Sequence, residues 1–178
     1  MTGARVLLLA AGRGRRAGAP KAWRPHDGKT LLEAHLDFFA GLLGAGALSV
    51  AVQREWLPRC AGLSREIGWV AADPDATPLA SLQRLIANSG SARSFILHVD
   101  MPVFEPAVYE ALWAAAGDAA APVFEGRRGH PVLLAPSVLV EVSRLDSAAG
   151  RLDVFLRNRP VAEVPVATDA VLRNLNEP

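Results

Sequence analysis

An apolar segment that ends in a basic glycine loop constrains the fold of this chain more than any other feature. Residues 6–9 read Val-Leu-Leu-Leu, a length typical of a buried strand, and glycines follow at once. Glycine lets backbone N–H groups approach a ligand because no Cβ intervenes. The loop itself carries four cations, Arg13, Arg15, Arg16 and Lys21, and no acidic residue appears in the chain before Asp27. Cations without a local counter-charge on such a loop predict an anion site, with a polyphosphate as the natural ligand.

Two better-known glycine loops fit this stretch poorly. A dinucleotide-binding Gly-x-Gly-x-x-Gly loop opens a helix, but here the third glycine comes one residue late, at Gly18, and prolines follow at positions 20 and 25. A Walker loop needs a leading glycine and a preceding strand, and Gly28-Lys29-Thr30 has neither. A solvated basic face without a ligand is the alternative to an anion site.

Length and composition predict one α/β domain over residues 1–178. The 51% of hydrophobic residues can build a sizeable core, and the net charge of +1 argues against a dedicated nucleic-acid or membrane-surface protein. The chain has one cysteine, no apolar run of the ~20 residues that cross a membrane, and no signal-peptide pattern. We therefore expect a cytoplasmic protein that binds neither nucleic acid nor membrane.

Alternating segments predict a mostly parallel sheet covered by helices on both faces. Strand patterns lie at residues 6–9, 48–52, 68–72, 94–99, 121–124, 131–134 and 161–166. Helical patterns lie at residues 30–43, 55–63, 108–116, 137–145 and 152–158, and another begins at Pro78. The alternation lapses near residues 121–134, which indicates a small antiparallel excursion. The expected architecture is a three-layer α/β sandwich with a Rossmann-like central sheet.

Asp100 is the leading candidate for a metal ligand. It directly follows the predicted strand 94–99, and Pro102 disfavours further strand pairing. In open α/β sheets ligands bind beyond the carboxyl ends of the strands, where the glycine loop also lies. Magnesium is commonly held by one or two carboxylates together with phosphate oxygens. The alternative is that Asp100 serves only as a turn residue.

The loop from Ala10 to Lys21 resembles the signature of a known enzyme family. Its pattern, Ala-Ala-Gly-x-Gly-x-Arg-x-Gly-x-x-Lys, is similar to the loop of MobA-like nucleotidyltransferases, which attach nucleotides to the molybdenum cofactor. Ala17 stands where the family commonly has methionine. Asp100-Met101-Pro102 resembles the family's metal-binding segment. The resemblance implies the nucleotide-diphospho-sugar transferase type of α/β fold and Mg²⁺-dependent nucleotidyl transfer, with Mn²⁺ as an alternative metal.

The same resemblance assigns roles to individual residues on the nucleotide side. It implies that Arg16, Lys21 and Asp100 are catalytic, and that Asp100 and Asn176 bind the metal. The tail Asn174-Leu175-Asn176 has amides where many relatives have carboxylates. Thr77 stands where the family usually has glycine. The implied nucleotide-binding residues are Ala10, Ala11, Gly12, Arg13, Gly14 and Ser81.

The acceptor side resembles the molybdenum-cofactor cytidylyltransferases. Arg127 and Arg128 precede Gly129-His130-Pro131, and the resemblance implies substrate contacts by Arg127, Arg128 and His130. Together with the Ala-Ala-Gly loop this favours CTP, whereas the Asn-x-Asn tail is similar to guanylyltransferases, which use GTP. The implied substrates are a nucleoside triphosphate and a small phosphorylated acceptor, molybdopterin first, with a molybdoenzyme as a candidate partner. A sugar- or alditol-phosphate nucleotidyltransferase and a non-catalytic nucleotide-binding module remain alternatives.

Overall fold

The computed structural model describes residues 1–14, 18–90 and 92–175. In this part of the chain the strands are β1 Arg5–Leu9, β2 Pro25–His26, β3 Lys29–Thr30, β4 Leu48–Gln53, β5 Gly68–Ala72, β6 Ser94–His98, β7 Ala119–Phe124, β8 Arg127–Arg128, β9 Val132–Leu134 and β10 Ala162–Pro165. The α-helices are α1 Leu31–Leu43, α2 Leu57–Leu63, α3 Pro78–Ser89, α4 Pro106–Ala114, α5 Pro136–Ser143 and α6 Leu152–Arg157.

The main sheet has the strand order β10-β7-β9-β6-β1-β4-β5, with β8 paired to β7. β1 is central and pairs in parallel with β4 and β6, so that Leu8 lies opposite Val50 and Leu97. β9 runs antiparallel to both of its neighbours, β6 and β7. The predicted fold class is confirmed. The antiparallel excursion, however, is part of the main sheet, because β9 fills the position between two strands that run the same way.

Helices cover both faces of the sheet, which makes three layers. Strand side chains alternate between faces, so Val6 and Leu8 pack with residues of α1, α2 and α4. Leu7 and Leu9 point to the opposite face and pack with residues of α3, α5 and α6. Because both faces are buried, β1 is entirely apolar from Val6 to Leu9, as expected of a central parallel strand.

A short hairpin formed by β2 and β3 leads into α1. It escaped the sequence analysis because two-residue strands show no periodicity. Thr30 ends the hairpin and caps α1: its hydroxyl accepts from the Glu33 N–H, and the Glu33 carboxylate accepts from the Thr30 N–H. Hydrogen bonding by Thr30 lowers the pKa of Glu33. Among the helices in the described residues, none has the length and apolar character needed to cross a membrane.

Candidate nucleotide and acceptor site

The loop after β1 begins at the carboxyl edge of the sheet and is fixed to β4. The Ala10 N–H donates to the Ala51 carbonyl over 2.9 Å. The Gln53 side-chain amide donates to the Ala11 carbonyl over 3.0 Å. Ala10, Ala11 and Gln53 are all buried. Sequence analysis missed Gln53, although a polar residue that ends an apolar strand was the available signal.

Gly14 can only be glycine in this loop. Its φ is +64°, in the left-handed region, and a Cβ built there would lie 1.9 Å from the Ala19 carbonyl oxygen. The chain therefore passes against its own backbone just before Pro20, and Lys21 follows directly. Gly12 has no such constraint, since a Cβ there would have open space around it.

Arg13 and Lys21 pair with carboxylates in the folded protein, although the sequence places no acidic residue near them on the loop. The Arg13 guanidinium donates to both carboxylate oxygens of Asp75, over 3.0 and 2.8 Å. The Lys21 Nζ lies 2.6 Å from the Asp100 Oδ2. The idea of an uncompensated basic loop is thus wrong for these two residues, because their partners are 62 and 79 positions away in sequence. Arg15 and Arg16 lie outside the described residues.

The two ion pairs differ in their exposure to water, and this exposure decides how strong the attraction within each pair is. The Arg13 and Asp75 side chains are both 47% exposed, so solvent strongly screens their attraction. Lys21 and Asp100 are only 17% and 14% exposed, so water screens this pair less.

The structure places Asp100 at the same edge as the glycine loop. β1 and β6 run in parallel with Leu9 opposite His98, and the Val99 N–H donates to the Leu9 carbonyl over 2.9 Å. The Asp100 carbonyl accepts from the Leu175 N–H over 2.8 Å, which brings the C-terminal segment to this point. Arg24 supports the segment by donating to the Leu175 carbonyl over 3.0 Å. Asn176 lies outside the described residues.

The chemistry around Asp100 fits a divalent cation shared with phosphates. In residues 1–14, 18–90 and 92–175 there is no cluster of three His, Cys, Asp or Glu side chains that could hold a metal alone. The Asp100 carboxylate already accepts a cation, the Lys21 ammonium, at hydrogen-bonding distance. A single carboxylate is sufficient for magnesium when substrate phosphates supply further oxygens.

Ser81 lies in the first turn of α3 and lines a small cavity of about 90 Å³ next to the loop. The cavity is also lined by Leu9, Ala11, Gly12, Asp73, Pro74, Ala76, Pro78 and His98. Thr77 has a structural use that glycine would lack: its hydroxyl caps α3 by accepting from the Ala80 N–H and donates to the Ser147 carbonyl.

A larger cavity of about 750 Å³ adjoins the small one and shares Leu9, Pro78 and His98 with it. Of the three residues that the sequence suggests for acceptor binding, Arg128 and His130 line this cavity, whereas Arg127 is exposed on β8 and is not part of its wall. Most of the wall is apolar, contributed by Leu79, Leu82, Ile96, Val132, Leu156 and Val161 among others. Arg128 donates to the Glu163 carboxylate over 2.8 Å.

Two imidazoles lie at the junction of the cavities. The rings of His98 and His130 are 6.4 Å apart, edge to face. Burial lowers the pKa of His130 to about 4 and also lowers the pKa of His98. Both rings are therefore neutral near pH 7, and each can donate one hydrogen bond and accept another. Sequence analysis identified His130 and missed His98, which the strand pattern shows only as the last residue of β6.

The three-layer fold, with a glycine loop and a carboxylate at the carboxyl edge of its central strands, defines an α/β domain of the nucleotidyltransferase type. The model of the MobA-like NTP transferase domain matches residues 6–163, so the chain belongs to this family. This confirms the family resemblance deduced from the loop.

The chain is also similar to individual proteins in sequence or in fold. A molybdenum cofactor guanylyltransferase of Xanthomonas euvesicatoria is 36% identical over 109 residues, which cover 61% of this chain and 52% of that protein. The chain thus matches about half the length of that relative. The crystal structure of Rv0371c from Mycobacterium tuberculosis H37Rv superimposes with a TM-score of 0.77 at 25% identity, covering 93% of this chain and 88% of that one. A manganese complex of Rv0371c gives a TM-score of 0.74 at 24% identity, covering 93% and 89%.

Proposed function

We propose that this protein transfers a nucleotidyl group from a nucleoside triphosphate to a phosphorylated acceptor in molybdenum cofactor biosynthesis. The observation that carries the proposal is the pair of adjoining cavities that meet at Leu9, Pro78 and His98, beside the glycine loop and near Asp100. An acceptor phosphate oxygen forms a bond to the α-phosphorus, the bond from that phosphorus to the β-phosphate oxygen breaks, and pyrophosphate leaves. Positioning and charge neutralisation supply most of the acceleration in such reactions.

The small cavity is the proposed nucleotide site. Backbone groups from Ala10 to Gly14 would hold the nucleotide, and Ser81, which also lines the cavity, would contact it. Lys21, which follows the loop, would offset charge on the triphosphate and on the departing pyrophosphate. Arg13 would contact the nucleotide from its position opposite Asp75, and Arg16 is proposed to assist on the evidence of the family loop alone.

Asp100 would hold the divalent metal, with Asn176 as a proposed second ligand. The bound ion would neutralise phosphate charge and help to orient the triphosphate. Magnesium is the proposed ion and manganese the alternative, since both accept oxygen ligands. The acceptor needs no strong general base, because a phosphate is already largely ionised near neutral pH.

The larger cavity is the proposed acceptor site, with Arg128 and His130 on its wall and Arg127 at the exposed strand beside it. Its predominantly apolar wall favours a flat ring system such as a pterin over a sugar or alditol phosphate. A polyol would place some of its hydroxyl groups against the aliphatic part of the wall, where they would lose hydrogen bonds to water at a cost. The neutral imidazoles of His98 and His130 offer hydrogen bonds that suit ring nitrogens and carbonyls.

CTP is the proposed nucleotide because Ala11 contributes to the wall of the small cavity. The Ala11 methyl group leaves less room in this cavity than the hydrogen of a glycine would, which favours the smaller pyrimidine base. GTP is the second candidate, since the Xanthomonas relative is a guanylyltransferase. The proposed recipient of the product is a molybdoenzyme, and the proposed location is the cytoplasm.

Pyrophosphate release tests the proposal. Purified protein is incubated with molybdopterin, magnesium and either CTP or GTP, and pyrophosphate is measured alongside nucleotide binding. We expect release with CTP and its loss in Asp100→Asn. The matched control is Asp37→Asn, because Asp37 is an exposed carboxylate on α1 that pairs with Lys29 of β3 and lines neither cavity. Nucleotide binding without pyrophosphate release under any of these conditions would contradict catalysis and favour a non-catalytic binding module.

A further inference from the structure

The Lys21 ammonium already occupies one oxygen of the carboxylate that would hold a metal ion, that of Asp100. Its Nζ is 2.6 Å from the Asp100 Oδ2, and both side chains are largely shielded from water. Magnesium binds carboxylate oxygens at about 2.0–2.1 Å. A dication on either oxygen of the Asp100 carboxylate would lie close to the Lys21 ammonium and repel it, so metal binding favours movement of Lys21 away from Asp100.

The backbone of Lys21 is held in place, so its ammonium can leave Asp100 only by a movement of the side chain. Residues 21–23 form a 3₁₀ turn, in which the Trp23 N–H donates to the Pro20 carbonyl and the Arg24 N–H donates to the Lys21 carbonyl, both over 3.1 Å. A lysine side chain has four rotatable methylene groups and can redirect its ammonium by several ångströms. Phosphates of a nucleotide bound on the loop at residues 10–14 would offer that ammonium new anionic partners.

We propose that Lys21 excludes free metal from Asp100 and gives way only when a nucleoside triphosphate supplies phosphates for its ammonium. Binding of the metal and of the nucleotide is then coupled, and the site selects the metal–nucleotide complex over the free ion. The inference rests on the proposed function, specifically on Asp100 as the metal ligand. It assigns to Lys21 a second task besides neutralising phosphate charge.

The test measures Mn²⁺ binding to the protein, with and without CTP or GTP, as the loss of the free-ion electron paramagnetic resonance signal beyond the loss that the same nucleotide causes without protein. Proteins compared are the wild type, Lys21→Met, Asp100→Asn and the double variant. Lys29→Met is the matched control, because it also removes a lysine that pairs with an aspartate, Asp37, away from the loop. Lys21→Gln serves as a second neutral variant if Lys21→Met fails to fold.

Without nucleotide, we expect Lys21→Met to bind Mn²⁺ at least about tenfold more tightly than the wild type, since a charge-assisted hydrogen bond no longer competes. The gain should vanish in the double variant, and Lys29→Met should match the wild type. Nucleotide should tighten Mn²⁺ binding strongly in the wild type and much less in Lys21→Met.

The outcomes separate this inference from the proposed function. One result would overturn the exclusion by Lys21 but leave the metal site on Asp100 intact. It is that the wild type and Lys21→Met bind Mn²⁺ equally well without nucleotide, and that both proteins bind Mn²⁺ tightly when nucleotide is present. Two other results would overturn both the exclusion by Lys21 and the metal site on Asp100. One is that no protein binds Mn²⁺ even with nucleotide, and the other is that Asp100→Asn leaves Mn²⁺ binding unchanged.

Discussion

Replacement of Gly14 by alanine should destabilise the protein far more than the same change at the neighbouring glycines. An L-residue in the left-handed region costs about 1–2 kcal/mol. In addition, the new Cβ would lie 1.9 Å from the Ala19 carbonyl oxygen, so the backbone must move, and overpacking of this kind costs about 1–3 kcal/mol. We therefore expect Gly14→Ala to lose about 2–5 kcal/mol of unfolding free energy.

Gly18 and Gly12 separate the two contributions. Gly18 has a φ of +73° with open space around a built Cβ, so Gly18→Ala should lose about 1–2 kcal/mol for the backbone conformation alone. Gly12 has neither constraint, so Gly12→Ala should be neutral or gain up to about 1 kcal/mol through the unfolded state. Urea unfolding followed by circular dichroism measures all three. Equal stability of Gly14→Ala and Gly18→Ala would refute the close approach of Gly14 to Ala19.

Two further predictions concern buried polar groups near the site. Burial lowers the pKa of His35 to about 4 in the folded protein, so below its unfolded value of about 6.5 the unfolded state binds more protons. Stability should therefore fall by about 3 kcal/mol as pH decreases from 6.5 to 4, and His35→Gln should flatten this dependence in urea titrations at a series of pH values. Gln53→Leu leaves the Ala11 carbonyl without its donor and should cost about 1–3 kcal/mol. If it instead matched the wild type in unfolding free energy and in nucleotide affinity, Gln53 would not be what fixes the loop.

Most of the architecture could be predicted because the periodic segments are long and strongly patterned. The sequence predicts β5 at residues 68–72, where the structure also has it, and it predicts α1 to within one residue at its N-terminus. Thr30 explains the difference, since a capping residue is sequence-adjacent to its helix without being part of it. The place of β9 inside the sheet could not be predicted, because it depends on pairing with β6 and β7, which are distant in sequence.

In the candidate site, too, the features set by local sequence could be predicted, and those set by contacts between distant segments could not. The glycine loop and Asp100 each follow a buried strand, so general rules for α/β sheets bring them to one edge. The partners of Arg13 and Lys21 could not be predicted, because nothing local connects them to Asp75 and Asp100. His98 escaped notice for the same reason: its proximity to His130 arises only when the segment that leads into β9 folds back beside β6.

The central claim is that this chain binds a nucleoside triphosphate together with a divalent metal at the edge formed by the glycine loop and Asp100. A thermal-shift screen with CTP, GTP, ATP, UTP and NAD, each with and without magnesium, tests it most directly, because a ligand that binds only the folded state raises the melting temperature. We expect a magnesium-dependent rise with CTP that Asp100→Asn abolishes. No shift with any triphosphate, or a rise that is indifferent to magnesium and to Asp100, would contradict it.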